Sequence, residues 1–206
     1  MNENDPRVKR TRQLLKQALT DLLREKGFAA ITVQDICGRA TLNRATFYAH
    51  YVDKYDLIDH IMREDLEQAL AKTVLLDSAV TTSSMRRLCR TVFEYLAQVQ
   101  DHCKPSDQQF DPLFDRAVQA VLQTFLLRWL RPLPHAALPG RASRETVAMV
   151  MSWAIFGAGA QWSRGERAQS ADELAAQVVA ILTNGVAGAR LGHGEERREP
   201  ATAVGR

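Results

Sequence analysis

The sequence predicts an all-α fold of about nine helices, in which an N-terminal three-helix unit is joined through a long helix to a C-terminal helical bundle. Apolar residues recur with the 3.6-residue period of an amphipathic helix along most of the 206 residues, and few segments alternate as strands do. Helix-capping residues and prolines fall between these periodic stretches, which indicates where helices begin and end. No internal repeat is visible.

The composition is that of an ordinary globular protein, with 46% hydrophobic and 25% charged residues. No apolar run approaches the roughly 20 residues of a membrane-spanning helix, and the polar N-terminus does not resemble a signal peptide. Three scattered cysteines, without a CxxC pair, fit a reducing compartment. The net charge of +3 permits nucleic-acid binding without arguing for it. We therefore expect a cytoplasmic protein with no membrane partner.

The N-terminal segment contains the clearest helix signals. The first helix is expected from about Arg7 to Lys26, and Gly27 is expected to end it in a left-handed conformation. Thr32 with Asp35 is a variant capping box that opens the second helix. Asn43 can cap the third helix in the same way.

Longer helices follow. The fourth is expected to open at Asp53 with Asp56 and to run to about Leu70. A Ser- and Thr-rich stretch separates it from an amphipathic helix that begins near Met85 and is broken at Lys104–Ser106. Caps, prolines and glycines bound the last three helices: Asp111 to Arg131, Ser143 to Gly165, and Ser170 to about Leu191.

The segment Thr32–Tyr51 has the pattern of a helix-turn-helix, in which one short helix supports a second that can enter the DNA major groove. Apolar residues of the first helix and Phe47 of the second are expected to face inward. Arg44 is left exposed, and its guanidinium can bridge guanine O6 and N7. Ala45 and Thr46 are small, so the helix can approach the bases closely. This pattern predicts a DNA-reading helix.

Phosphate contacts are expected around this helix. Tyr48 and His50 can donate hydrogen bonds to phosphate oxygens, and Lys54 begins the next helix, where backbone N–H groups also face an anion. The basic arm Arg7–Arg12 can add backbone or minor-groove contacts. A solvated terminus without a DNA contact is the alternative for the arm.

These residues resemble the TetR family of one-component transcriptional repressors. The resemblance rests on Thr46–Tyr51, followed by Asp53–Lys54 and Leu57 and preceded by Thr32–Ile36, and it covers roughly Arg12–Met62. It implies an all-helical homodimer that binds a palindromic double-stranded DNA operator and holds a small-molecule effector. Carried over by position, it implies DNA contacts from Thr32, Asn43, Arg44, Ala45, Thr46, Tyr48, His50 and Lys54.

One position departs from the family pattern. Thr41 stands in the turn where family members usually have glycine, and a β-branched residue disfavours the left-handed conformation. We expect either a different turn or a strained one at this position.

The resemblance also implies the division of the chain. Residues 1–60 are expected to form the helix-turn-helix DNA-binding domain, and residues 61–191 the helical effector-binding and dimerisation domain. The tail, residues 192–206, has almost no bulky apolar residue and is expected to be disordered. The fourth helix joins the two domains, so we expect it to transmit effector binding to the DNA-binding domain.

The last two long helices are implied to form a four-helix bundle with those of a second protomer. Small residues permit close helix packing there, although an intramolecular core is the alternative for any single residue. The expected interface residues are Trp153, Phe156, Gly157, Ala160, Val178, Leu182 and Gly185.

The helices between Ser84 and Arg131 carry an aromatic-rich apolar set that suits either an effector cavity or simple core packing. The candidate pocket residues are Phe93, Leu96, Phe110, Phe114, Phe125 and Trp129.

The sequence offers little support for other classes of function. No HExxH, GxSxG, P-loop or GxGxxG motif is present, so we predict no enzyme, no catalytic residue and no cofactor. His60 and Glu64 could hold a metal but lack a third ligand, so no metal site is predicted. Cys89 and Cys103 could respond to oxidants if they are close in space. The alternatives are therefore a redox- or metal-responsive regulator on this scaffold, or a helical dimeric adaptor without DNA binding.

Overall fold

A computed structural model describes residues 5–74, 79–102, 107, 111–138 and 142–184. Within these ranges the chain is all-α, which confirms the predicted fold class, and it has eight α-helices and two 3₁₀ turns. The helices are α1 (Pro6–Glu25), α2 (Val33–Ala40), α3 (Arg44–Tyr48), α4 (Lys54–Val74), α5 (Thr82–His102), α6 (Asp111–Leu130), α7 (Arg144–Arg164) and α8 (Ala171–Asn184). The 3₁₀ turns are Phe28–Ala30 and His135–Ala137. The expectations for Cys103, Phe110, Gly185 and the tail lie outside the described residues.

The helix starts follow the capping signals of the sequence. Asn43 caps α3 by accepting the Thr46 N–H at 2.7 Å, and Ser143 caps α7 by accepting the Thr146 N–H at 3.1 Å. Ahead of α8, Ser170 and Glu173 form the expected reciprocal capping box. These local bonds satisfy backbone N–H groups that have no partner inside the helix, so the sequence positions each helix start.

Gly27 does not adopt the predicted left-handed conformation. Its φ is −61° and its ψ is 152°, which is extended backbone. The cap of α1 is instead Lys26, also extended, whose N–H still donates to the carbonyl of Leu22 at 2.9 Å. The chain therefore leaves α1 in an extended conformation and enters the Phe28–Ala30 turn directly.

The N-terminal unit, α1 to α3 with the start of α4, shares one apolar core. The apolar face of α1, which includes Leu15 and Leu19, is buried together with Phe28, Ile36 and Phe47. This burial is the main term that holds the three helices together, at about 25 cal/mol per Å² of apolar surface removed from water. Ion pairs from Lys16 to Glu64 and Asp65 tie α1 to α4 at the surface of the core.

In the C-terminal body, α5 packs against α4, α7 and α8, while α6 packs against α4 and α7. Two surface ion pairs cross between these helices: Arg86 of α5 with Asp172 of α8, and Arg164 of α7 with Asp115 of α6 at 2.7 Å. The helix α4 runs without a break from the N-terminal unit into the body. No helix in the described ranges is both long enough and apolar enough to cross a membrane.

Candidate functional site

The support helix α2 begins with a reciprocal capping box. The Thr32 hydroxyl accepts the Asp35 N–H at 3.1 Å, and the Asp35 carboxylate accepts the Thr32 N–H at 2.8 Å and its hydroxyl at 2.7 Å. Lys26 donates to the same carboxylate at 2.9 Å. The hydrogen bonds from Lys26 and Thr32 hold the pKa of Asp35 well below its usual range. Thr32 is exposed, but its hydroxyl is already engaged at the helix start.

The turn between α2 and α3 is left-handed at Thr41, with φ 55° and ψ 42°. The Thr41 N–H donates to the Gly38 carbonyl at 3.3 Å, and the Leu42 N–H donates to the Cys37 carbonyl at 3.0 Å. These bonds satisfy the last carbonyls of α2, as a left-handed helix terminus does. For a residue with a Cβ, this conformation costs about 1–2 kcal/mol. Of the two expectations, the strained turn is therefore the one observed.

Apolar anchors orient the second helix of the motif. Ile36 of α2 and Phe47 of α3 are fully buried, and Tyr51 beyond α3 is 4% exposed. The ring of Phe47 meets the rings of Tyr48 and Tyr51 at centroid distances of 5.5 Å and 5.9 Å. Because Phe47 faces the core, the opposite face of α3 is presented to solvent.

The exposed face of α3 is polar and carries small side chains. Asn43 uses its amide oxygen to cap the helix, where it also accepts the Thr46 hydroxyl at 2.9 Å. Arg44 and Ala45 are exposed, and Tyr48 is 49% exposed. Arg44 Nη2 donates to the Tyr48 hydroxyl at 3.4 Å, and its guanidinium lies 5.8 Å from the centroid of that ring. Arg44 and Tyr48 therefore form one projecting pair.

His50 lies at the far end of this surface and is partly buried. Its Nδ1 atom is buried without a hydrogen-bond partner. Burial, with a contribution from the charge of Arg12, lowers the pKa of His50. The whole of the expected basic arm, Arg7–Arg12, lies within α1, which brings Arg12 beside His50. The sequence assigned Arg12 to the arm but gave no sign of this neighbour, which is 38 positions away.

The Lys54 ammonium lies against the Phe28–Ala30 turn. Its ammonium donates to the carbonyls of Phe28, Ala29 and Ile31 at 2.9 Å, 3.2 Å and 2.7 Å. It also lies 4.7 Å from the ring centroid of Phe28 and 5.4 Å from that of Tyr55. Burial lowers the pKa of Lys54 despite nearby carboxylates. An ammonium has three protons, so these bonds engage all of them, and Lys54 braces the Phe28–Ala30 turn against α4.

A cavity of about 420 Å³ lies between the N-terminal unit and the body. Its walls come from α1, the Phe28–Ala30 turn, α4, α5 and α6, together with Asp107. Phe114, one of the residues predicted for a pocket, lines this cavity. Leu96 with Phe114 lines a much smaller neighbouring space of about 20 Å³.

The other predicted pocket residues within the described ranges lie apart from this cavity. Phe93 is fully buried against Gly159 and lies 6.3 Å from the ring of Trp162. Phe125 and Trp129 pair with each other at 6.5 Å. The aromatic set is thus divided between core contacts and the cavity wall.

The outer faces of α7 and α8 carry exposed apolar side chains. Trp153 is 59% exposed, and so is Ile181, while Met149 and Val150 are also exposed. Of the predicted interface residues, Gly157 shares this open face, and a Cβ added there would meet nothing within 4 Å. Leu182 is half-buried, whereas three residues pack within the chain: Phe156, Ala160 and Val178.

Cys89, His60 and Glu64, the described candidates for redox or metal chemistry, all have structural surroundings or contacts. Cys89 is fully buried, and burial raises the pKa of its thiol to about 12, so it carries little thiolate. His60 lies edge-on to Tyr51 at 5.7 Å, while Glu64 pairs with Lys16. In the part of the chain that the structure describes, no group of three or more His, Cys, Asp or Glu residues could hold a metal ion.

Comparison with known proteins bears on the N-terminal unit. Residues 15–61 match the family of bacterial regulatory proteins described as the tetR family. The chain is also 36% identical, over 75 residues, to the HTH-type transcriptional regulator YxbF of Bacillus subtilis. That match includes 36% of this chain but only 20% of YxbF.

Solved structures extend the likeness over the whole fold. FadR of Thermus thermophilus, a TetR-family transcriptional repressor solved with lauroyl-CoA, superposes with a TM-score of 0.67 and 22% identity. The superposition covers 94% of this chain and 100% of that one. FadR of Bacillus subtilis, solved with stearoyl-CoA, gives a TM-score of 0.56 and 14% identity, over 84% of this chain and 98% of that one. These superpositions show a shared fold, and at identities this low they show the fold alone.

Proposed function

We propose that this chain, whose residues 15–61 match the tetR family of bacterial regulatory proteins, regulates transcription by binding a palindromic double-stranded DNA operator as a homodimer. The observation that carries the proposal is the exposed polar face of α3, which the buried Phe47 and the capped helix α2 hold at a fixed angle. A protein that acts on chromosomal DNA in a bacterium works in the cytoplasm.

The proposed role of each residue in DNA binding follows from its side-chain chemistry. Arg44 reads a guanine in the major groove, and Ala45 lets the helix approach the base edges closely. Asn43, Thr46, Tyr48 and His50 contribute polar contacts, with the phosphate contacts fixing register rather than sequence. Thr32 and Lys54, whose polar groups are engaged within the chain, support the interface by positioning it. Arg12 adds positive charge beside His50.

The exposed apolar face of α7 and α8 supports the proposal that the protein is a homodimer. Covering large apolar side chains such as Trp153 with a partner lowers the free energy of the complex, because it removes apolar surface from water. Gly157 leaves room for a partner helix to approach. Two-fold symmetry then presents two copies of α3, and a spacing of about 34–36 Å would place them in successive major grooves. Any ligand that changes this spacing changes operator affinity.

We propose further that the protein is a repressor that responds to a small molecule. Two observations support this: the fold shared with FadR proteins solved with acyl-CoA molecules, and the cavity next to the N-terminal unit. The buried thiol of Cys89 does not favour a redox-responsive alternative.

The test begins with selection of a binding sequence from a random duplex library, followed by titrations at several salt concentrations. We expect a palindromic consensus and an affinity that falls steeply with salt, because Lys and Arg contacts release counterions. Arg44→Ala should relax base preference by about 1–3 kcal/mol at one position of each half-site, whereas Tyr48→Ala should weaken binding to all sequences. No enrichment of any sequence, together with no retention on duplex DNA, would refute the proposal.

A further inference from the structure

The 420 Å³ cavity is lined by two parts of the molecule, the N-terminal unit and the body. Thr20 and Leu23 of α1 form a wall that belongs to the N-terminal unit. Tyr95 and Val99 of α5 form a wall that belongs to the body. A molecule in this space therefore contacts both parts at once, without α4 as the sole intermediary.

The lining is mostly apolar, and its polar groups are largely engaged. Ile58, Ile61 and Met62 of α4 line the space together with Leu23 of α1. The Tyr95 hydroxyl donates to the Met62 carbonyl at 3.0 Å, and the Thr20 hydroxyl donates to the Lys16 carbonyl at 2.9 Å. The volume falls within the range of about 300–1,000 Å³ that is typical of small-molecule sites.

The charges of the lining disfavour an anion. Asp65 and Asp107 contribute carboxylates, and Arg24 supplies one guanidinium, which pairs with Asp21 at 3.5 Å. Lys16 binds the Asp65 carboxylate, so this wall is closer to neutral than to negative. A phosphate-bearing molecule would have to compete with carboxylates that already pair with Lys16 and Arg24, at a desolvation cost that an uncharged molecule avoids.

One corner of the cavity is mechanically connected to the N-terminal unit. Asp107, from the connection between α5 and α6, is 1% exposed and accepts the Ala29 N–H at 3.0 Å. Phe28 packs edge-on against Phe114 of α6 at 6.2 Å. Lys54 holds the carbonyls of the same turn from α4. Displacing Phe28 would therefore disturb bonds that position the N-terminal unit on the body.

We propose that this cavity binds an uncharged, mostly apolar small molecule, which shifts the Phe28–Ala30 turn by direct contact and so weakens operator binding. The inference rests on the proposed function as a DNA-binding regulator, and it names the place and the chemistry of its effector site. Differential contact is what makes such coupling possible, because a ligand shifts an equilibrium only as far as its affinities for the two states differ.

The experiment uses 1-N-phenylnaphthylamine, an uncharged apolar dye that fluoresces when it leaves water, with the full chain. Saturable binding to the wild type is expected, at least about tenfold tighter than binding of the anionic dye 8-anilinonaphthalene-1-sulfonate. Two variants fill the cavity from different helices: Ala69→Phe on α4 and Thr20→Leu on α1. The matched control is Ala71→Phe, on an exposed position of the same helix. Dye binding should fall in both filled variants and persist in the control.

A second measurement separates this inference from the proposed function. Saturating dye should lower wild-type affinity for the selected duplex at least about fivefold, the lower end of typical couplings, and should do so less in the two filled variants. The inference would be overturned if the dye did not bind, or if it bound more weakly than the anionic dye. It would also be overturned if neither filling substitution reduced dye binding, or if the dye did not change DNA affinity. DNA binding is also measured without dye. If the wild type did not bind DNA in that measurement, the proposed function would be refuted instead.

Discussion

At the scale of single residues, Thr41 is held in a left-handed conformation that glycine adopts without cost. We expect Thr41→Gly to raise the free energy of unfolding by about 0.5–1 kcal/mol, because relief of the strain exceeds the added entropy of the unfolded chain. Urea denaturation provides the measurement. Thr41→Ala keeps a Cβ, so its free energy of unfolding should rise less than that of Thr41→Gly. A glycine variant that is no more stable than the alanine variant would contradict this account.

Lys54 provides a second prediction at this scale. Lys54→Met should lower the free energy of unfolding by about 1–3 kcal/mol, because three carbonyls lose their common donor. The salt dependence of DNA binding should remain unchanged, since the ammonium is engaged within the chain. Lys72→Met, on an exposed position of α4, is the control and should leave stability nearly unchanged. A lower salt slope with unchanged stability would restore Lys54 as a phosphate ligand.

These two residues show what the sequence can and cannot reveal. The mismatch at Thr41 was visible because a left-handed turn has a strong local residue preference. The partners of Lys54 were not visible, because they lie 23 to 26 positions earlier and come together only after α1 packs on α4. Gly27 was mispredicted because glycine permits several conformations and the chain continues in an extended one.

At the scale of helices, local signals predicted the helix starts well. Caps at Thr32, Asn43, Ser143 and Ser170 act within three residues of the helix that they begin, so no tertiary information was needed. Apolar periodicity was less informative for the aromatic set of α5 and α6. Core residues and cavity residues share the same spacing, so only the packing separates Phe93 from Phe114.

Two glycines of α7 allow the helix surfaces to be tested separately. A Cβ at Gly159 would lie 2.5 Å from a Phe93 ring atom and 2.9 Å from a Leu96 methyl, so Gly159→Ala should destabilise the fold by about 1–3 kcal/mol. A Cβ at Gly157 meets nothing within 4 Å, so Gly157→Leu should leave the protomer folded while it weakens the proposed dimer. Circular dichroism measures folding, and sedimentation velocity measures the oligomeric state over a range of concentrations. An unchanged dimer in Gly157→Leu would exclude this face from the interface.

At the scale of the whole molecule, the important feature is how the N-terminal unit is attached to the body. The sequence suggested α4 as the connection, and α4 is indeed continuous between them. The structure adds a second connection, in which Asp107 and Phe114 of the body contact the Phe28–Ala30 turn. No local pattern could reveal it, because Asp107 is 78 positions from its hydrogen-bond partner Ala29.

The second connection leads to the last prediction. Asp107→Ala removes the acceptor of the Ala29 N–H, so backbone amides of the Phe28–Ala30 turn should exchange faster with deuterium, whereas those of α7 and α8 should not change. Hydrogen exchange read by mass spectrometry makes the comparison within one sample. Asp172→Ala is the control, because it breaks a surface ion pair between α5 and α8 that is remote in the fold from this turn. If exchange at the turn were the same in both variants, the Asp107 hydrogen bond would not hold the turn, and the second connection would consist of the packing of Phe28 against Phe114 alone.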